Sequence, residues 1–389
     1  MNRGRTATLP TVITVYGAGF LQGCAFVLIP ALGRILSAPP YRWNHTTYGL
    51  LYLPEMAGAI LSALGAGEIA GAFGIRGVFR IGAGANALAM GLLTAAFVAH
   101  GRLAYGLVMV ESGCLGAGFG LTLAAANDYA GRLYPGSATV AVTLLNALIG
   151  AATALSPLIL HFVARFGHWG WWPAILAAAF VLTALGPLPV QKRAHATRES
   201  WHRGMFLFAL AVFLYAICEG SFGSWADLYI SVDRGQGARY GALALSVFWG
   251  TMTAFRLLLA LIPERWVPRR VFFLAAPIGI GACFATIPLL THSGPLVAIF
   301  GAAGAACSIY YPFAMAFGLA AYPEQQTRIA GLTVAALMAG EGIGSFGLGP
   351  LQAFIPLSRI YFFSTAWAIP LMALAWVIVR RERTSSDTR

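Results

Sequence analysis

Charge is what this sequence has least of. Of 389 residues only 10% are Asp, Glu, Lys or Arg, while 59% are hydrophobic, against roughly 25% and 45–50% in soluble domains. Water is therefore excluded as the main solvent. A soluble catalytic domain is excluded too, because one crossing of a hydrocarbon core takes roughly 20 mostly apolar residues, and twelve crossings with short connections use nearly the whole chain. Cysteine is also sparse. All five, Cys24, Cys114, Cys218, Cys283 and Cys307, fall inside apolar segments without paired spacing, which argues against a disulfide framework or a thiolate zinc site and reads as packing. No histidine sits clearly at mid-span. The sequence has no His-Glu-x-x-His helix, no glycine-rich phosphate loop ending in Gly-Lys-Ser/Thr and no Gly-x-Ser-x-Gly turn, so zinc, ATP and serine chemistry have no support. No metal, no cofactor and no enzymatic activity are expected.

What is present is a series of apolar runs broken by charge, Gly and Pro. They predict spans over 9–33, 47–72, 77–99, 104–128, 138–164 and 171–190, then 204–230, 240–262, 271–291, 295–321, 329–353 and 357–379. The first run, preceded by Arg3 and Arg5, is too long for a signal peptide and reads as an uncleaved first helix. Between the two sets lies the polar, basic stretch 191–203, which reads as a linker. The expected organisation is a bundle over 1–190, a cytoplasmic linker over 191–203, a second bundle over 204–380 and a tail over 381–389.

The net charge of +12 would suggest nucleic acid in a soluble protein, but here the basic residues occupy short loops. With the amino terminus inside, seventeen basic residues fall on the cytoplasmic side and seven, Arg34, Arg42, Arg102, Arg165, Arg234, Arg239 and Arg359, on the other. That bias places both termini in the cytoplasm. Lys192 is the single lysine against a large excess of arginine, a usage that points to a GC-rich bacterial genome and leaves the organism open. The expected location is a cell inner membrane.

The two sets read as repeats, because residues 67–79 align without gaps on residues 260–272, each closing the second span of its half. Parallel six-span repeats with a site at their interface near the midplane are a transporter plan. Residues 67–79 also resemble the loop between the second and third helices of the major facilitator superfamily. Gly67, Ala70, Gly74 and Arg76 match its pattern. Gly71 and Ala72 replace its acidic and first basic residues, leaving Glu264 and Arg265 as the second-half positions able to retain part of that charge relay.

A closer likeness is to the fucose-permease-like sugar transporters of that superfamily. It rests on Gly116-Ala117-Gly118-Phe119-Gly120 through Ala126-Asn127, Pro135, Leu144-Leu145-Asn146, Ser156-Pro157-Leu158, the spacing of Tyr215, Glu219 and Trp225, and Leu245 to Trp249 followed by Arg256-Leu257-Leu258. Asn146 stands where that branch often has histidine. The resemblance implies an all-α membrane protein of twelve transmembrane helices in two six-helix pseudo-repeats. It further implies a secondary transporter moving a sugar-like or other small polar solute by alternating access.

Ionisable groups inside a membrane cost about 2.5–3.5 kcal/mol each on insertion scales, so each is a functional candidate. Glu219, near the middle of the seventh span beside Gly220 and Gly223, is the first candidate for proton coupling. A break of the helix at those glycines would open backbone groups to a cavity. The bland reading of Glu219 is a protonated glutamate bonded to a neighbouring helix. Glu111, Glu341 and Glu55 follow as coupling groups. Glu111 heads a face through Leu115, Gly118 and Thr122, while Gly113, Gly116, Gly120 and Ala124 form a small-residue face suited to close packing.

Arg256 reads either as an electrostatic counterpart to these carboxylates or as a residue snorkelling to the inner interface; with Arg76, Glu264 and Arg265 it forms the set of gating candidates. Candidates for binding substrate are Trp225, Tyr310, Tyr311, Asn146, Asn127, Tyr215 and Gln22, the aromatics because a ring can stack on a sugar while its polar edge orients it. Tyr310 and Tyr311 precede Pro312, which must free a carbonyl one turn earlier. Asn86 and Asn146 read equally as inter-helix hydrogen bonds, and Asp227 and Glu68 as solvated groups near span ends. Isolated carboxylates favour protons over sodium as the coupling ion. The expected partners are a small-molecule substrate, protons and the lipid bilayer, with no nucleic acid, and the chain is expected to be monomeric. An exporter of drugs or metabolites by proton antiport, a polytopic membrane enzyme and a non-transporting sensor remain as alternatives.

Overall fold

In hydrocarbon the backbone must satisfy its own hydrogen bonds within a segment, which leaves a single apolar run no option but a helix. A computed structural model describes residues 8–133, 138–189, 202–262, 268–322 and 326–386, and every regular element among them is helical. The linker over 191–201, the Pro135 turn and the gating candidates Glu264 and Arg265 lie outside the described residues.

The first crossing is α1 (Leu9–Phe26) and α2 (Leu28–Ser37). They part at Val27 because Pro30 has no N–H to offer the Phe26 carbonyl and its ring crowds it. After the short α3 (His45–Gly49), α4 (Tyr52–Val98) carries two crossings, divided at Gly74 with φ 73° and ψ 169°, a conformation open to glycine and strained for other residues. α5 (Gly101–Leu133), α6 (Ala138–Ala164) and α7 (Trp171–Leu185) complete six.

The second six begin with α8 (Met205–Leu228), continued by a π turn over Tyr229–Asp233, then α9 (Ala238–Leu261), α10 (Arg269–Thr286), α11 (Ser293–Ala321) and α12 (Gln326–Leu351). The last crossing is α13 (Leu357–Ser364) joined to α14 (Ala368–Ser386) through a 3-10 turn at Thr365–Trp367, where Pro370 cannot donate back to Ala366. Among the described residues ten helical stretches are long and apolar enough to cross a membrane, with Trp171–Leu185 a shorter apolar helix. Counting the break at Gly74 and the shorter helix, the crossings among the described residues number twelve. The first is longer than the expected 9–33 and the last runs beyond 379.

The chain divides into two compact units, Met1–Leu28 with Pro54–Thr197, and Ile29–Leu53 with Arg198–Arg389. In the first, α1 lies on α5, α6 and α7 around Val15, Ala18, Phe79, Leu121, Tyr129 and Leu145. α5 presses onto α4 so closely that a Cβ on Gly116 would overlap the Glu55 carbonyl, as expected for the small-residue face. In the second unit α8 packs along α12 and α9 along α11. Phe222 stacks on Phe284 at 4.0 Å in its interior. Leu61, Leu64, Leu182, Leu185 and Ile369 are exposed, as lipid-facing side chains must be.

Candidate functional site

Glu219 projects from α8 and is 4% exposed. The predicted break beside it does not occur: α8 is continuous from Met205 to Leu228. Gly220 instead lets α8 meet α12, since a Cβ there would overlap the Glu341 carbonyl, and Gly223 lies against the Trp249 ring. These glycines serve helix contact, not an opening of the backbone. What Glu219 does meet is Arg256. An Nη2 of Arg256 on α9 approaches Glu219 Oε1 at 3.5 Å, as hydrogen bond and ion pair.

The rest of that guanidinium is incompletely satisfied. Its Nε is buried with no hydrogen-bond partner, although 37% of the side chain is exposed. Trp249, Thr253 and Arg256 recur at helical spacing on one half-buried face of α9. Tyr311 of α11, also half-buried, is within electrostatic reach of both charges.

The neighbouring aromatics are tied into the packing. Tyr215 and Tyr310, both fully buried, stack with ring centroids 5.4 Å apart and 12° between planes. Their hydroxyls donate to the carbonyls of Cys307 at 2.7 Å and Leu371 at 3.1 Å. Trp225 is fully buried and its Nε1–H donates to the Ser345 carbonyl at 2.9 Å. Glu341 is half-buried on α12.

In the first unit Glu111 is fully buried on α5. Its Oε2 accepts from the Ser112 hydroxyl at 3.4 Å, its Oε1 has no partner, and the half-buried Glu55 of α4 lies within electrostatic reach. Gln22, Asn86 and Thr122 form a buried chain across α1, α4 and α5: Asn86 Nδ2 donates to Gln22 Oε1 at 2.6 Å and to Thr122 Oγ1 at 3.2 Å. Asn146 Nδ2 donates to Asn127 Oδ1 at 3.1 Å, joining α6 to α5. Arg76 is half-buried with an unpartnered Nε, while Asp128 pairs with Arg132 at 2.7 Å on its own helix.

Sequence reasoning missed one cluster of the second unit. The hydroxyls of Tyr48 and Tyr52 meet at 2.7 Å, one donating to the other, and both lie within hydrogen-bond distance of the Ser224 carbonyl on α8, at 3.2 and 3.3 Å. His45 Nε2 lies 3.5 Å from Asp233 Oδ1. Asp227, expected to be solvated, is 3% exposed and accepts from the Arg34 backbone N–H at 3.4 Å. The reason is the segment 29–53, which covers it and whose packing no span-by-span reading can place. Glu68 is exposed, in keeping with its expected role.

Twelve crossings with an ion pair held between two of them describe a membrane protein, and comparison with known sequences decides its family. The sequence model for the Major Facilitator Superfamily matches residues 11–345. The chain belongs to that superfamily. No curated protein matches its sequence. As a Major Facilitator Superfamily member it resembles solved transporters in fold. The D-xylose-proton symporter has a TM-score of 0.77 at 14% identity, covering 95% of this chain and 97% of that one. The nucleoside transporter NupG has a TM-score of 0.73 at 14% identity, covering 95% and 99%. The xylose transporter XylE from E. coli, partially occluded and inward open, has a TM-score of 0.74 at 13% identity, covering 94% and 96%. At such identities only the fold is shared. The superfamily membership makes this chain a multi-pass membrane transporter and not an enzyme.

Proposed function

We propose that this transporter is a proton-coupled carrier of a small polar solute, sugar-like or of comparable size, working by alternating access in a cell inner membrane with both termini cytoplasmic. Two six-helix bundles, 1–190 and 204–380, joined by 191–203, would rock around the site, the chain acting as a monomer. The observation that carries the reading is the Glu219–Arg256 pair, an acid and a base that lie inside apolar crossings and meet at 3.5 Å. A charge at that depth is retained against a cost. Glu219 can be the anionic partner of Arg256 or, with a proton on Oε1 or Oε2, a neutral group that frees it, and those two states are what proton coupling requires. Names of the fold neighbours, a xylose-proton symporter and a nucleoside transporter, support a hydrophilic cargo.

Substrate-dependent proton movement into proteoliposomes, followed with an internal pH dye across a panel of sugars and small metabolites, tests the reading. Flux that is lost in Glu219→Gln supports it. Flux unaffected by the substitution would move coupling to Glu111, Glu341 or Glu55. Cells lacking the protein should not accumulate a cationic dye; accumulation would favour the exporter.

A further inference from the structure

We propose that the solute carries a single carboxylate or equivalent anionic group, and that Arg256 binds it when a proton displaces Glu219. This rests on the reading of Glu219 as the coupling group and narrows its substrate class.

Arg256 presents five N–H donors in a planar fork suited to two parallel bonds with a carboxylate. Glu219 makes one contact at the long distance of 3.5 Å and the Tyr215 hydroxyl adds a second interaction, which together fill only part of that capacity, and the buried Nε has no acceptor. A cation inside a crossing and so poorly matched is unfavourable as a purely structural element, because desolvation is repaid only by good geometry and filled donors. The side chain is nonetheless 37% exposed, so one edge stays open to a ligand while the other holds Glu219. Tyr311 lies within electrostatic reach of both, and its hydroxyl is a further donor available to the anion.

The groups around Glu219 leave Arg256 as its one cationic partner among the described residues. From its own helix Tyr215 and Cys218 lie near; from α11, Cys307 and Tyr311; from α9, Arg256. From α12 it is the Glu341 backbone carbonyl that reaches the adjacent Gly220. Protonation of Glu219 therefore leaves Arg256 without a counter-charge, and an incoming anion restores it.

The cycle balances. One proton adds to a Glu219 carboxylate oxygen, one anion joins Arg256, and both leave on the far side as the Glu219–Arg256 pair re-forms. No net charge crosses with a monoanion. Proton and anion must then strengthen each other's binding, by reciprocity of linked equilibria, so affinity for the anion rises as pH falls.

The experiment uses the full chain in proteoliposomes with matched solutes, D-glucuronate against D-glucose and lactate against glycerol, driven either by an imposed pH difference or by a potassium-diffusion potential. The expected result is uptake of a carboxylate driven by the pH difference, changed less than about twofold by the potential, and reduced at least about tenfold in Arg256→Gln. Arg256→Lys, which keeps the charge without the fork, should fall between. If Arg256→Gln does not fold, the double variant Glu219→Gln with Arg256→Gln, which leaves no lone charge, is read by carboxylate counterflow instead, which it should lack and Glu219→Gln alone should keep. Proton-coupled uptake of the neutral member of a pair, accelerated by the potential, would overturn this proposal and leave proton-coupled transport standing. A carboxylate flux indifferent to Arg256, or no response to any carboxylate, would overturn it as well, and absence of proton movement with every solute would count against both readings.

Discussion

Glu219 and Arg256 lie 37 residues apart in the sequence, and each is recognisable alone as an ionisable group in an apolar run. The charge itself is what makes them visible. Their pairing is not legible, because nothing in the spacing says which faces of two successive helices meet. The signal that comes nearest is scarcity: an arginine well inside a span needs a carboxylate, and few are available. The two are expected to be coupled energetically. Removing Arg256 alone leaves a buried carboxylate without its counter-charge, a loss of about 3–5 kcal/mol in well-buried pairs and less where one partner is partly exposed, as here. In a double-mutant cycle read by thermal unfolding, Arg256→Gln should therefore lower Tm more in the parent than in a Glu219→Gln background. Equal shifts in both would mean the contact is incidental.

Tyr310 and Tyr215 teach a different lesson at the same scale. Their aromatic rings, and for Tyr310 the position just before Pro312, suit a sugar-stacking role, yet each hydroxyl is bonded to a backbone carbonyl of another helix and the rings face one another. Tyr310→Phe removes one buried hydrogen bond, while the Leu371 carbonyl keeps its place in the helical ladder of α14, so the loss should be about 0.5–1.5 kcal/mol. A Tm unchanged within error would show the bond to be dispensable.

Among the elements, the helices were the most legible part, because length and hydropathy are one-dimensional properties that a bilayer enforces. The ends were less so. The first crossing extends to Ser37 and is broken at Val27, and the predicted break at Gly220 and Gly223 is instead a helix contact. Glycine in a membrane helix can mean either an opening or a close approach, and only the partner helix decides. Here Gly340 and Gly344 of α12 settle it: a Cβ on either would overlap the backbone of α8 at Phe213 or Ile217. Gly344→Val should force α8 and α12 apart and abolish the folded peak on size-exclusion chromatography, whereas Gly65→Ala, where a Cβ meets nothing within 4 Å, should leave it intact. Loss of neither or of both would contradict this account of the interface.

At the scale of the whole molecule, the superfamily and the twelve crossings could be read from the chain, since the loop pattern at residues 67–79 and the repeat survive in the sequence. The grouping of residues 29–53 with the second unit could not. It depends on Tyr48, Tyr52 and His45 meeting Ser224 and Asp233, contacts between residues far apart in sequence and of ordinary type. If the bundles rock as proposed and this segment moves with 1–190, those contacts must break during the cycle. Joining thiols placed by His45→Cys and Asp233→Cys with a short bifunctional maleimide should then stop transport while leaving solute binding measurable. Undiminished transport by the fully cross-linked protein would show that the segment moves with α8.

The central claim, that Glu219 links solute to protons in a carrier, is tested most directly by comparing two assays on Glu219→Gln in proteoliposomes. Counterflow exchanges labelled for unlabelled solute without a gradient, and uphill uptake draws on an imposed pH difference. The account predicts that the variant retains counterflow and loses the uphill uptake. Uphill uptake equal to that of the parent protein would contradict it.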